Sequence, residues 1–301
     1  RSHYLTTINS TFPPTTAAAT TGFLSAKYPV ETCWIGWDAY FKEYNRNIVL
    51  FASRDYNTKE EMPFSVFNII PYKNICEIIN EQNNGVNAIT MQRYPINQYG
   101  PKSLRQSHKK IDEFLKKNDK CFMYYYWDEP DWEMHQNGID KYLIKKVCKK
   151  LDRFVKKLVK DNPDTLFLTF ADHGHVNVEY IKLEDYPELL ELTSQPIAGE
   201  KRSSIFFVKE GKQEEFKNKF NSLFGNKFKL LSKQEIYDTK LYGIGTPHPH
   251  FDSMMGDFIA ISLDKYALIA HKQFKDAEFY PGHHAGGTKE EILIDISAFN
   301  K

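Results

Sequence analysis

Along the chain, short apolar runs alternate with longer stretches in which apolar residues return at three- and four-residue steps. Three runs stand out early: Asn47-Ile48-Val49-Leu50-Phe51, Cys121-Phe122-Met123-Tyr124-Tyr125-Tyr126 and Thr165-Leu166-Phe167-Leu168-Thr169-Phe170. Each is short and rich in aromatic or branched side chains, as in strands buried on both faces. Between the second and third, Leu143, Val147, Leu151, Phe154, Val155 and Leu158 recur at helical spacing among lysines, which predicts an amphipathic helix over 140–160. Strand, long helix, strand reads as a parallel crossover unit with the helix packed on one sheet face. Upstream, the run STFPPTTAAATTGFLSAKYP from Ser10 places two prolines before small residues and threonines, which predicts a helix starting at Thr15 or Thr16.

Beyond 185 the texture changes. A short helix, a strand over 204–208, a charged helix over 212–224 and strands over 258–261 and 266–269 suggest a smaller α+β subdomain. A last strand is expected over 291–296. The organisation that follows is α/β: 1–185 carries most of the core, 186–280 forms the α+β subdomain, and 281–301 returns to the core. No internal repeat or low-complexity tract interrupts it.

A chain of 301 residues can bury one large core or one core with a modest insertion. No run approaches the roughly 18 uncharged apolar residues of a membrane span. Forty basic against 39 acidic residues leave a net charge of +1, so any affinity for anions must be local. The lysines fall mainly on amphipathic helices and no stacking platform interleaves with them, which argues against a nucleic-acid module. Cys33, Cys76, Cys121 and Cys148 form no CxxC pair, so a reducing compartment, the cytoplasm, is the expectation. The chain begins at Arg1, and a signal peptide on a longer precursor stays open.

Four clusters carry chemistry. In Glu129-Pro130-Asp131-Trp132-Glu133-Met134-His135, Asp131 and His135 lie one helical turn apart, where both can reach one cation. Alone, this spacing fits a solvated loop equally well. Asp172-His173-Gly174-His175 follows the strand after the crossover helix, and in open α/β sheets ligands gather beyond the carboxyl ends of strands. His175 reads as a surface residue or a support for its neighbours. The glycine-rich stretch Pro281-Gly282-His283-His284-Ala285-Gly286-Gly287-Thr288 offers one further imidazole, with a plain surface loop as the alternative. Two carboxylates and three imidazoles suit zinc better than magnesium or calcium. Finally, a threonine hydroxyl at the helix start, Thr15 or Thr16, sits where free amides hold an anion, although most threonines there simply cap the helix.

Taken together these motifs resemble the alkaline phosphatase superfamily, and most closely its type I phosphodiesterase/nucleotide pyrophosphatase branch. The resemblance runs from STFPPTTAAATTGFLSAKYPVETCWIGW through EPDWEMH, ADHG and GIGTPHPHFDSMMGDFIAI to HHAGGTKEEILI. It implies an alkaline-phosphatase-like α/β/α sandwich with a mostly parallel central sheet and a small α+β insertion. It further implies two divalent cations, zinc by preference: one held by Asp131, His135 and His284, the other by Asp172, His173 and the nucleophile oxygen. His284 is chosen over His283 by its distance to the Thr-x-Glu-Glu that follows. Alignment on Pro29 puts the nucleophile at Thr16, with Thr15 second, and sets Thr15 and Trp37 against the substrate.

Two departures bear on the reading. Members of the family carry a further metal-binding aspartate on an early strand, and none precedes Ser10 here, which reads as truncation of that strand. At Trp37 many nucleotide pyrophosphatases have an asparagine that contacts the phosphoryl oxygen. The expected activity is metal-dependent hydrolysis of a small phosphorylated substrate, a nucleotide among the candidates, through a phospho-threonine. A phosphomonoesterase or phosphonate hydrolase, or a non-catalytic binding protein on the same fold, are the alternatives. Trp34, Trp37, Tyr40 and Phe41 are either a stacking wall or packing residues, and Arg202, His248 and His250 stay unassigned.

Overall fold

The apolar stripe read over 140–160 forms the helix Lys141–Asp161. Asp140 caps it, its side chain accepting from the Leu143 amide at 2.7 Å, and Val147 and Leu158 of the stripe are buried. The computed structural model describes residues 3–270 and 279–300; residues 271–278, within the expected 186–280 subdomain, lie outside it. The chain folds as two compact units. The first takes the described residues of 1–7, 73–171 and 295–301, and the second 8–72 and 172–294.

In the first unit, strands Asn87–Gln92 and Cys121–Tyr126 form a parallel ladder, joined through the helix Leu104–Lys117. The Tyr125 hydroxyl donates to Ser107 Oγ of that helix at 2.7 Å. This corrects the crossover expected from the sequence. Cys121–Tyr126 has its ladder partner upstream, whereas Phe167–Phe170 pairs antiparallel with Leu293–Phe299. A helix between two strands requires only that both strands find neighbours, and here each found a different one. Nor is Phe167–Phe170 buried on both faces: its residues alternate, with Leu168 54% exposed.

In the second unit four antiparallel strands lie in the order Ala198–Glu200, Ser203–Phe206, Phe258–Ser262, Phe228–Ser232. The helix Gln213–Phe224 buries Phe216, Phe220 and Phe224, at four-residue steps, among Phe206, Phe228 and Phe258. A second core gathers around Trp34, whose indole N–H donates to the Ile70 carbonyl at 3.1 Å. Into it packs the antiparallel hairpin of Asp38–Phe41 and Arg46–Val49, so the first apolar run is a hairpin strand.

Strands Glu179–Lys182 and Tyr266–Ile269 pair in parallel, which with the helices makes the architecture a mixed α/β one. Gly282–His283 pairs antiparallel with Val176–Asn177, and this short ladder brings the Asp-His-Gly turn beside the His-His loop. Glu291 and Ile292, expected in the last strand, belong instead to the helical turn Lys289–Ile292, and the strand runs Leu293–Phe299. Thr288 opens that turn with a capping box on Glu291, which holds the backbone helical before the strand begins.

Candidate functional site

The prolines at 13 and 14 lead into a helix that runs Thr16–Ser25 with Thr15 as its N-cap residue. Ala17 and Ala18 are buried, so the first turn is seated in the second unit. The two threonines face different surroundings. Thr15 is buried, and its hydroxyl donates to Glu200 Oε1 at 2.6 Å. Thr16 is half-buried, with its Oγ1 3.1 Å from His173 Nε2.

His173, His175 and His284 are all buried in this unit, so the surface alternative for His175 does not hold. The rings of His173 and His284 stack with centroids 3.8 Å apart, and His175 meets His284 edge-on at 5.2 Å. Backbone carbonyls set the tautomers. His173 Nδ1 lies 3.0 Å from the Gly174 carbonyl and His284 Nδ1 3.1 Å from the Pro14 carbonyl. A carbonyl only accepts, so each Nδ1 carries the proton and each Nε2 keeps a lone pair. His283 differs: its Nδ1 accepts from the His284 amide at 3.1 Å, which leaves the proton on Nε2. Asp172 Oδ2 stands 3.6 Å from His173 Nε2, and the Asp172 carbonyl accepts from the Ser10 hydroxyl.

A buried ion pair braces this arrangement. The fully buried Arg202 donates to Glu291 Oε1 and Oε2 at 2.6 and 2.8 Å, and to the carbonyls of Tyr266 and Asp264. Glu291 also accepts from the Gly286 amide at 2.7 Å and the Thr288 hydroxyl at 2.7 Å, while its carbonyl takes the Gly174 amide at 2.9 Å. One residue thereby ties the His284 loop to the His173 turn. Arg202, unassigned from the sequence, belongs to this brace.

In the first unit, the helix Asp131–Asn137 sets Asp131 Oδ1 3.5 Å from His135 Nε2, one turn along the same face. Arg93 stabilises the approach to that helix through Asp128 at 2.7 Å and Glu129 at 3.0 Å. The remaining residues sort by burial. Trp34, Tyr40 and Phe41 are packing residues, whereas Trp37 is 46% exposed. His248 and His250 stack on each other at 5.5 Å, with His250 Nδ1 3.5 Å from Glu43.

Two carboxyls of the second unit, Glu200 on Thr15 and Asp38 close to Glu200, escaped the sequence reading. Glu200 and Asp38 are both buried. Burial pushes the Glu200 carboxyl up to about 7, against the Thr15 hydroxyl and the Trp37 amide that donate to it. Burial, and then the nearby Glu200, hold Asp38 well above the usual carboxylate range. No spacing signal marks either, since nothing local distinguishes a buried glutamate in AGEKRSS from a solvated one.

The family model described as type I phosphodiesterase / nucleotide pyrophosphatase matches residues 1–287. The chain belongs to that family. It is a phosphoric ester hydrolase of the phosphodiesterase type, and the family is metal-dependent. Among solved structures, the murine ectonucleotide pyrophosphatase / phosphodiesterase 5 matches with a TM-score of 0.70 at 17% identity, over 99% of this chain and 80% of that one. The human protein of the same description matches with a TM-score of 0.70 at 15% identity over the same shares. An inactive form of the murine protein in complex with AMP matches with a TM-score of 0.69 at 17% identity, over 99% and 79%. These likenesses show the alkaline-phosphatase-like α/β fold. Among curated proteins nothing matches. No helix among the described residues is long and apolar enough to cross a membrane.

Three outcomes follow from the family's site as built here. A Cβ at Gly174 would come within 1.8 Å of the Glu290 carbonyl oxygen, so Gly174→Ala must displace backbone. Urea unfolding is expected to show a loss of at least about 2 kcal/mol. Arg202→Met strands a buried carboxylate and is expected to lose about 3–5 kcal/mol, part of which returns in Arg202→Met/Glu291→Met. Asp38 and Glu200 both bind a proton more tightly folded than unfolded. The stability they permit is therefore full below about pH 4 and declines as pH rises through about 7. Asp38→Asn should gain on the wild type in urea midpoint as pH is raised from about 4 to about 8; a constant difference would contradict the assignment.

Proposed function

We propose that the chain hydrolyses nucleotide-type phosphodiesters by a two-step displacement in which Thr16 carries the phosphoryl group. Zinc would be held in the second unit by Asp172 and His173 beside Thr16, with His284 as a further donor there, and Asp131 and His135 offer a donor pair in the first. The observation that carries the reading is the 3.1 Å approach of His173 Nε2 to Thr16 Oγ1 at the first turn of a ten-residue helix. Substrate class is taken from the murine relative solved with AMP.

The donors suit the group. His173 and His284 each commit Nδ1 to a backbone carbonyl, and the lone pair left on Nε2 is the form that binds a divalent cation. His175, buried against His284, offers a further imidazole. When bound, such cations lower the pKa of a hydroxyl and offset charge on phosphoryl oxygens.

Thr16 gives its hydroxyl proton to water, its Oγ1 joins phosphorus, and the bond to the departing alcohol oxygen breaks, that oxygen taking a proton from water. Water then adds to the phosphorus of the phospho-threonine, the bond to Oγ1 breaks, and Thr16 recovers its proton. The first-turn amides, which have no partner within the helix, orient the phosphoryl oxygens. Trp37, with its exposed indole, offers a flat face to the base or leaving group. Because Trp37 replaces an amide side chain, phosphomonoester hydrolysis is the second reading.

Bis-p-nitrophenyl phosphate and p-nitrophenyl phosphate, offered to zinc-loaded protein, decide between them. The diester is expected to turn over faster, with kcat lowered by roughly three orders of magnitude or more in Thr16→Ala. EDTA should abolish activity and zinc restore it. Preference for the monoester would install the second reading, and full activity in Thr16→Ala would remove the nucleophile.

A further inference from the structure

The N-cap residue of a helix normally turns its side-chain oxygen back onto the amides two and three residues on. Thr15 does not: it makes no capping hydrogen bond, and its hydroxyl donates to Glu200 Oε1 at 2.6 Å. The same carboxyl accepts the Trp37 amide. Glu200 is 5% exposed, at the end of the strand Ala198–Glu200. A buried carboxyl is expensive to desolvate, and a neutral side chain or plain packing would serve the sheet at least as well. Its position is explained by what it does to Thr15.

We infer that Glu200 is a positioning residue for the nucleophile turn: by taking the Thr15 hydroxyl, it keeps that oxygen off the first-turn amides and leaves them open to the phosphoryl oxygens of a substrate at Thr16. The inference rests on Thr16 as the nucleophile. With Glu200 in place, Thr15 is held on one side of the helix start while Thr16 faces His173. Without it, the freed hydroxyl can swing onto the Ala17 and Ala18 amides as an ordinary cap, and the anion site is occupied from within.

Two readouts on the zinc-loaded full chain test this, using Glu200→Ala, Glu200→Gln, Thr15→Val, Thr15→Ser and Glu200→Ala/Thr15→Val. The first is turnover of bis-p-nitrophenyl phosphate. Glu200→Ala is expected to lower kcat by about 10- to 100-fold with KM little changed, and Thr15→Val, which has no hydroxyl to turn onto the amides, to lose less. The double variant, in which no hydroxyl can cap the helix, should be more active than Glu200→Ala. Glu200→Gln and Thr15→Ser should recover most of the loss, since each restores the acceptor or the donor. A double variant no more active than Glu200→Ala, or losses confined to KM, would overturn the inference.

The second readout is amide hydrogen exchange at residues 17 and 18, which needs no activity. Glu200→Ala is expected to slow exchange there, because Thr15 now caps, and Glu200→Ala/Thr15→Val to abolish the slowing. General loosening would give the opposite sign, and unchanged or faster exchange in Glu200→Ala would sink the idea. Thr16→Ala run in parallel separates the two claims. Activity persisting in Thr16→Ala removes the nucleophile reading, whereas an inactive Thr16→Ala with unchanged exchange in Glu200→Ala removes only the role of Glu200.

Discussion

The second unit depends on the carboxylate of Glu291. Buried with Arg202, it would be a liability if either partner were missing, because an unpaired charge away from water is far more costly than a lost surface contact. Both partners are saturated. Arg202 reaches two backbone carbonyls besides the carboxylate, and Glu291 takes hydrogen bonds from Gly286 and Thr288. The stability such a pair adds is modest by general experience, but its geometry is strict. Strictness is what the site requires, since His284 lies two residues before Gly286 and the Glu291 carbonyl anchors Gly174 beside His173.

The same economy governs the imidazoles. A histidine presents a lone pair at Nε2 only if something accepts from Nδ1, and here main-chain carbonyls, which do not titrate, play that part for His173 and His284. Their tautomers are thereby independent of pH over the range in which the imidazoles stay neutral. Neighbouring His283, whose Nδ1 accepts from an amide, shows how one backbone contact reverses the assignment between adjacent residues.

Features with a local cause could be read from the sequence. The helix Lys141–Asp161 announced itself by its apolar period, and the strand Cys121–Tyr126 by its run of apolar and aromatic residues. The start of the Thr16–Ser25 helix followed from the two prolines. Pairing partners were not legible, because the ladder of Cys121–Tyr126 with Asn87–Gln92 depends on a polar strand with little apolar alternation. Glu200 and the Arg202–Glu291 brace were invisible for a related reason. Their partners stand 185 and 89 residues away in the chain, and a charged residue destined for burial looks like any surface charge until its partner is in place.

The close approach at Gly174 bears on transplanting this chemistry. Because the Asp-His-Gly turn has no room for even a methyl group between itself and the backbone at Glu290, the two segments are mated surfaces rather than independent modules. A scaffold that received the turn alone would lose the wall that shapes it. A graft would have to carry the turn, the His-His loop and the Lys289–Ile292 helical turn together, and chimaeras cut between them would be expected to misassemble.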